Sequence, residues 1–245
     1  MSERGCRELC GLKFGTVSRG GFRNFKVKNI KIYDTYRSAI TFAAVDGALI
    51  ENIEVDGVRS IHTGNVIYLR IGDRWSAGKK PIMKNITIKN VYAEIPMDKP
   101  DAGYNYEGPI EDLPRNISPA SIVGLPEYKI QNVTLQNIEI VSPGGGNPYY
   151  AYRGLAPAEL DSIPEMATSY PEFSQFKELP AWGFYIRHAE GITFDNVTFK
   201  ALKKDYRPAI VMDDAGEVTF KDVRFIEPEG EGKKQIFPYK SKVIK

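Results

Sequence analysis

Eight side chains in this chain are of the types that hold an acidic sugar: Lys13, Arg70, Arg74, Trp75, Trp182, Tyr185, Arg187 and His188. Lysine ammonium and arginine forks donate charge-assisted bonds to a carboxylate, while indole and phenol faces pack on the C–H faces of a sugar ring. Most of the eight fall at the ends of one recurrent short strand. Taking alternation along it, the outward positions are Lys13 and Gly15, Thr41 and Ala43, Ile67 and Leu69, Tyr185 and Arg187, and Val211 and Asp213. Arg70 and His188 follow one residue later, where strands end. His62 lies in the polar stretch Ser60-Ile61-His62-Thr63 without the local partners a triad needs, and it is assigned no role. Cys6 and Cys10 have no companion CxxC or His pair, so no metal site is expected and a disulfide framework is excluded by count.

The elements that must position these side chains come from an internal repeat. Copies begin at Asn24, Asn52, Asn85, Asn132, Gly191 and Glu217, and each carries two alternating apolar pairs, as in Val133, Leu135, then Ile138, Ile140. Of all these positions only Ser60 is not apolar, in a chain that is 42% hydrophobic. This is the period-2 signal of a strand with one buried face. Parity then slips by one residue at Asn29, Gly57, Asn90, Asn137, Asn196 and Asp222. A slip inside a straight strand would turn the second pair outward. Asn, Gly and Asp tolerate the left-handed backbone of a sharp corner, so each copy reads as strand, bend, strand. The corner residues should stack on one edge, and Val27, Val55, Ile88, Leu135, Phe194 and Phe220 should form one interior column.

A third strand accompanies each pair: Gly11–Phe14, Ala39–Phe42, Asn65–Tyr68, Gly183–Ile186 and Ala209–Met212, with Ser121–Val123 as a weaker member. Three short strands per unit with no amphipathic helix between them predict coils of a parallel β-solenoid, one domain over 1–245. The first coil begins by Gly11, so the solenoid is expected to lack its N-terminal coils and cap, with that end covered by further chain or by a partner subunit. Insertions of about 94–120 and 142–181, rich in Pro, Gly and Tyr, interrupt the cadence. Long loops on a rigid scaffold are favoured places for binding.

Composition narrows the partner. With 33 Lys+Arg against 31 Asp+Glu the formal charge is +2, too balanced to argue for nucleic acid or an anionic membrane. No run approaches the length of a membrane span, and Met1–Cys6 has no apolar signal region. No cofactor is implied.

The runs Gly11-Leu12-Lys13-Phe14-Gly15-Thr16, Gly20-Gly21-Phe22-Arg23-Asn24, Tyr33–Ile40, Ile67-Tyr68-Leu69-Arg70-Ile71-Gly72 and Leu179–His188 resemble the C-terminal half of polygalacturonase-like glycoside hydrolases, family 28. The resemblance implies a right-handed single-stranded parallel β-helix acting on pectin-type polysaccharide rich in galacturonic acid, by inverting hydrolysis between carboxyl groups. It also implies a parent that is secreted or periplasmic. The family's Asn-Thr-Asp and Asp-Asp motifs precede the cleft strand. Here the two residues before that strand read Leu9-Cys10, Arg37-Ser38, Thr63-Gly64, Ala181-Trp182 and Arg207-Pro208, with no carboxylate pair. Cys10 stands at the His of the family's Gly-His-Gly, and Thr41-Phe42-Ala43 at its Arg-Ile-Lys.

Asp213-Asp214 has the composition of a catalytic pair but follows its strand, and it is expected to be a solvated turn. The reading is therefore a fragment or subunit that supplies substrate contacts without the catalytic carboxylates and does not hydrolyse polygalacturonate alone. The alternative is a non-catalytic carbohydrate-binding or structural solenoid. A polysaccharide lyase using a Lys or Arg base is a third reading, disfavoured because no carboxylate cluster suggests a Ca²⁺ site.

Overall fold

A computed structural model describes residues 11–98, 116–228 and 234–244. Cys6, Cys10 and most of the first insertion lie outside the described residues. The strands are β1 (Leu12–Phe14), β2 (Gly21–Arg23), β3 (Lys26–Ala44), β4 (Leu49–Ile71), β5 (Ile82–Glu94), β6 (Ala120–Val123), β7 (Ile130–Gly144), β8 (Phe184–Lys203), β9 (Ile210–Ile226), β10 (Ile236–Tyr239) and β11 (Val243–Ile244). A short helix α1 (Pro157–Asp161) and a 3₁₀ turn, Phe173–Phe176, lie in the second insertion.

The long strands bend at the parity slips. Asn29, Gly57, Asn90, Asn137, Asn196 and Asp222 all have positive φ, between 50° and 82°. The residues that begin each copy do the same: Asn24, Asn52, Asn85, Asn132, Gly191 and Glu217. Asparagine serves at such a corner twice over, because its amide also bonds its counterpart in the neighbouring copy. Asn52 donates to Asn24 at 3.0 Å, Asn85 to Asn52 at 3.0 Å and Asn132 to Asn85 at 3.1 Å. A second row runs from Arg224 through Asn196, Asn137 and Asn90 to Asp56.

Pairing is parallel wherever these strands meet, and Val27, Val55, Ile88, Leu135, Phe194 and Phe220 fall in register. These side chains run through the main core, where Phe194 stacks on Phe220 at 5.2 Å and meets Phe184 edge-on at 5.2 Å.

The pairing does not form the open row of stacked coils expected of a solenoid. β4 pairs with β5 through its first part and with β6 through its last residues; β5 pairs with β7, and β7 and β6 both pair with β8. The circuit β4–β5–β7–β8–β6–β4 closes on itself as a five-stranded parallel barrel, with the other strands outside it. The fold is all-β, and this closure corrects the expectation of a right-handed single-stranded parallel β-helix lacking its N-terminal coils and cap. The physical reason lies in the corners and the first insertion. Bending lets the two ends of β4 face different neighbours, and residues 95–119 are long enough to return β6 between β4 and β8.

Candidate functional site

Register corrects which residues face outward from the third strand. Lys13 pairs with Thr41, Thr41 with Tyr68, Tyr68 with Ser121, Ser121 with Tyr185 and Tyr185 with Val211. Tyr68 and Arg70, and not Ile67 and Leu69, therefore occupy the outward row of β4. The second insertion packs directly on that row: Leu160, Ile163, Phe173, Phe176 and Leu179 are buried against Tyr68, Val123, Tyr185 and Val211. Burying each such apolar side chain contributes roughly 1.5–3 kcal/mol. Five together make the segment part of the core and not a loose cover.

This packing divides the eight side chains named from sequence. Trp182 is 1% exposed and meets Phe199 edge-on at 6.4 Å. Tyr185 is fully buried, and its phenol is pushed far above its ordinary value by burial. Arg70 is buried too. It donates to the Gly124 carbonyl at 3.1 Å and the Glu165 carbonyl at 2.5 Å, so its fork ties the insertion to the sheet. Arg187 acts similarly, donating to the Ile163 carbonyl at 2.7 Å and lying 2.7 Å from Glu165 Oε1. Tyr185, Arg70 and Arg187 are anchors beneath the insertion, whereas Trp182 belongs to the main core.

His188 sits at a third left-handed corner, φ 49°, with Nδ1 2.7 Å from Asp214 Oδ2 and Nε2 3.1 Å from Glu165 Oε1. Asp213 is not part of a solvated turn. It is 3% exposed, with Oδ2 3.1 Å from Arg187 Nε in an ion contact that lacks hydrogen-bond alignment. Burial raises its carboxyl above the usual range. Asp214 goes the other way: partial burial would raise it, but bonds from Lys129 and His188 hold it low.

A pH prediction follows from Asp213. A folded-state pKa above the unfolded 3.8 means that the folded chain holds the proton more tightly, so stability falls as pH rises from 3.8 through the folded value. Asp213→Asn removes that loss. Its stability relative to wild type should improve from pH 4 to pH 7 in urea titrations, whereas an unchanged difference would show that the buried carboxyl carries no such cost.

The remaining three, Lys13, Arg74 and Trp75, come together at the opposite end of the outward row around Tyr170. Lys13 lies on β1 beside Thr41, Arg37 precedes the third segment within β3, Arg74 and Trp75 follow β4, and Tyr170 and Glu172 come from the second insertion. Three donors converge on the Tyr170 oxygen: Lys13 Nζ at 3.1 Å, Thr16 Oγ1 at 3.2 Å and Arg37 Nη1 at 3.4 Å. Glu172, almost fully buried, accepts from Arg37 at 2.5 Å and from Lys13 at 3.4 Å. Arg74 is fixed by buried Asp46 through Nε at 3.2 Å and Nη2 at 2.8 Å. Its guanidinium lies 3.8 Å from the Trp75 ring centroid and 5.7 Å from that of Tyr170.

Trp75 is 53% exposed and Tyr170 36%, so the aromatic surface faces solvent while the cations are mostly withdrawn behind it. Arg19 donates to the Trp75 backbone carbonyl at 3.1 Å and so ties down the chain that carries the indole. Burial raises the Tyr170 phenol, but the bonds and charges of Thr16, Lys13 and Arg37 outweigh it and leave it below its ordinary value.

Arg37 and Tyr170 were missed as site residues in the sequence. Tyr170 stood out only as one of several insertion aromatics, and nothing local links it to Lys13, 157 residues away. Among the described residues no group of three or more His, Cys, Asp or Glu is arranged to hold a metal ion. Comparison with known proteins finds no family model, no curated protein and no solved structure that matches this chain.

Proposed function

We propose that the chain binds acidic polysaccharide of the galacturonan type, as a pectin-directed, polygalacturonase-like protein without that family's catalytic carboxylates. One observation carries this reading: Lys13, Arg37 and Arg74 converge behind the exposed faces of Trp75 and Tyr170. Glu172 holds Lys13 and Arg37, and Asp46 holds Arg74, so the cations are fixed in place behind the rings. An aromatic face takes the sugar ring, and the cations behind it take the uronate carboxylate.

Each charge-assisted bond contributes roughly 1.5–3 kcal/mol. Desolvation and lost ligand freedom offset most of that, so an affinity near millimolar, about −4.1 kcal/mol, is expected. Titration calorimetry should show binding of galacturonate oligomers that weakens with added salt and weakens further in Lys13→Met and Trp75→Ala. Equal heats from neutral galactose oligomers would leave a structural role as the better reading.

A further inference from the structure

We infer that Tyr170 is the base of a β-elimination that cleaves a uronate-containing polysaccharide at this same face, an inference that rests on the binding reading above. The geometry is the convergence of Lys13, Thr16 and Arg37 on one phenol oxygen. A hydroxyl that accepts from three donors has its oxygen stabilised as an anion, and two of those donors are cations. Arg74 lies 5.7 Å from the ring centroid, paired with Asp46. The ring is the part of the cluster that reaches solvent, since Lys13 and Arg37 side chains are 18% and 10% exposed and both are drawn back onto Glu172. The cations therefore serve to steady charge, and the phenol is the group placed to meet a substrate. Its lowered pKa agrees with that division.

The chemistry suits a uronate and not a neutral sugar. The C5 hydrogen is adjacent to a carboxylate, so its removal becomes feasible once that carboxylate is neutralised. Lys13 and Arg74 are the cations nearest the Trp75 and Tyr170 faces that can do this. The Tyr170 phenolate takes the C5 proton. The C5–H electron pair becomes the C4–C5 double bond as the bond from C4 to the glycosidic oxygen breaks, its electrons leaving on that oxygen. H5 and the C4 oxygen of a galacturonate lie on opposite faces of the ring, so the departing oxygen takes its proton from solvent and Tyr170 later releases its own to solvent, giving a new reducing end on one fragment and an unsaturated uronate on the other. No water or redox partner is consumed.

The test uses the full chain with polygalacturonate. Formation of the unsaturated product is followed by its ultraviolet absorbance, and oligomer binding is followed by calorimetry in parallel. Wild type should form the product at a rate that rises with pH as Tyr170 ionises. Tyr170→Phe should lose about 100-fold or more of that rate when compared at oligomer concentrations that calorimetry shows to saturate each protein. The wild-type minus Tyr170→Phe ultraviolet pH titration should show one tyrosine ionising below the ordinary range, a signal independent of turnover. Wild type that binds the oligomer but makes no unsaturated product overturns the inference and leaves the binding reading intact. Undiminished product from Tyr170→Phe also overturns it. Absence of binding defeats both.

Discussion

Phe194→Ala should cost the protein about 3–5 kcal/mol of stability, the range for deleting a buried aromatic ring and leaving the space unfilled. Phe194 is fully buried, stacks on Phe220 at an interplanar angle of 18° and meets Phe184 at 89°. It stands in the in-register row from Val27 to Phe220, so its removal opens a gap between neighbouring copies that rigid strands cannot close. Urea unfolding gives the number, with Phe194→Leu expected to lose markedly less. A loss under about 1 kcal/mol for the Ala variant would mean that the row does not carry the core.

Arg187→Ala should be nearly as damaging, about 3–5 kcal/mol, because removing one partner of a buried ion cluster leaves the others uncompensated. Asp213 would lose its contacting guanidinium, the Ile163 carbonyl its donor, and Glu165 its closest cation. The second insertion should then be cleaved faster in limited proteolysis, since the Glu165 region would keep its bonds from Arg70 and His188 but lose the Arg187 fork. Adding Asp213→Asn should recover part of the loss, as the charge left stranded disappears; the coupling can be read from the double-mutant cycle. An Arg187→Ala chain within about 0.5 kcal/mol of wild type would contradict the anchoring role.

The sequence carried the repeat, its corners and its interior row because each is local. Alternation shows in the residue types, and Asn, Gly or Asp at a slip reports a backbone that few other residues adopt. The third corners were invisible, since Asp34, His62, His188 and Asp214 take positive φ without a matching residue type in each copy. Closure of the pairing was hidden for a different reason. It depends on where the chain returns after residues 95–119, and no pattern in that segment encodes the destination. Counting alternation from Asn65 gives the wrong parity in β4, which the pairing of Tyr68 with Thr41 and with Ser121 resolves.

The candidate site was partly legible. Lys13, Arg74 and Trp75 were named from strand ends and do meet, but the group that gathers them, Tyr170, sits in an insertion without periodicity. The same insertion covers Arg70, Tyr185 and Arg187, while Trp182 turns into the main core, and nothing in their own sequence neighbourhoods says so. A residue's outward position on a strand shows which face it leaves from. It does not show what later chain will cover that face.

The central claim, that acidic polysaccharide docks on the Trp75 and Tyr170 faces, is tested most directly by tryptophan fluorescence. The chain has two tryptophans, of which Trp75 is 53% exposed and Trp182 is 1% exposed. Titration with a galacturonate oligomer should change the emission saturably. The change should shrink with added salt, vanish in Trp75→Phe and be absent with a neutral galactose oligomer. Emission that stays constant through the titration, or that responds equally to the neutral oligomer, would contradict the account.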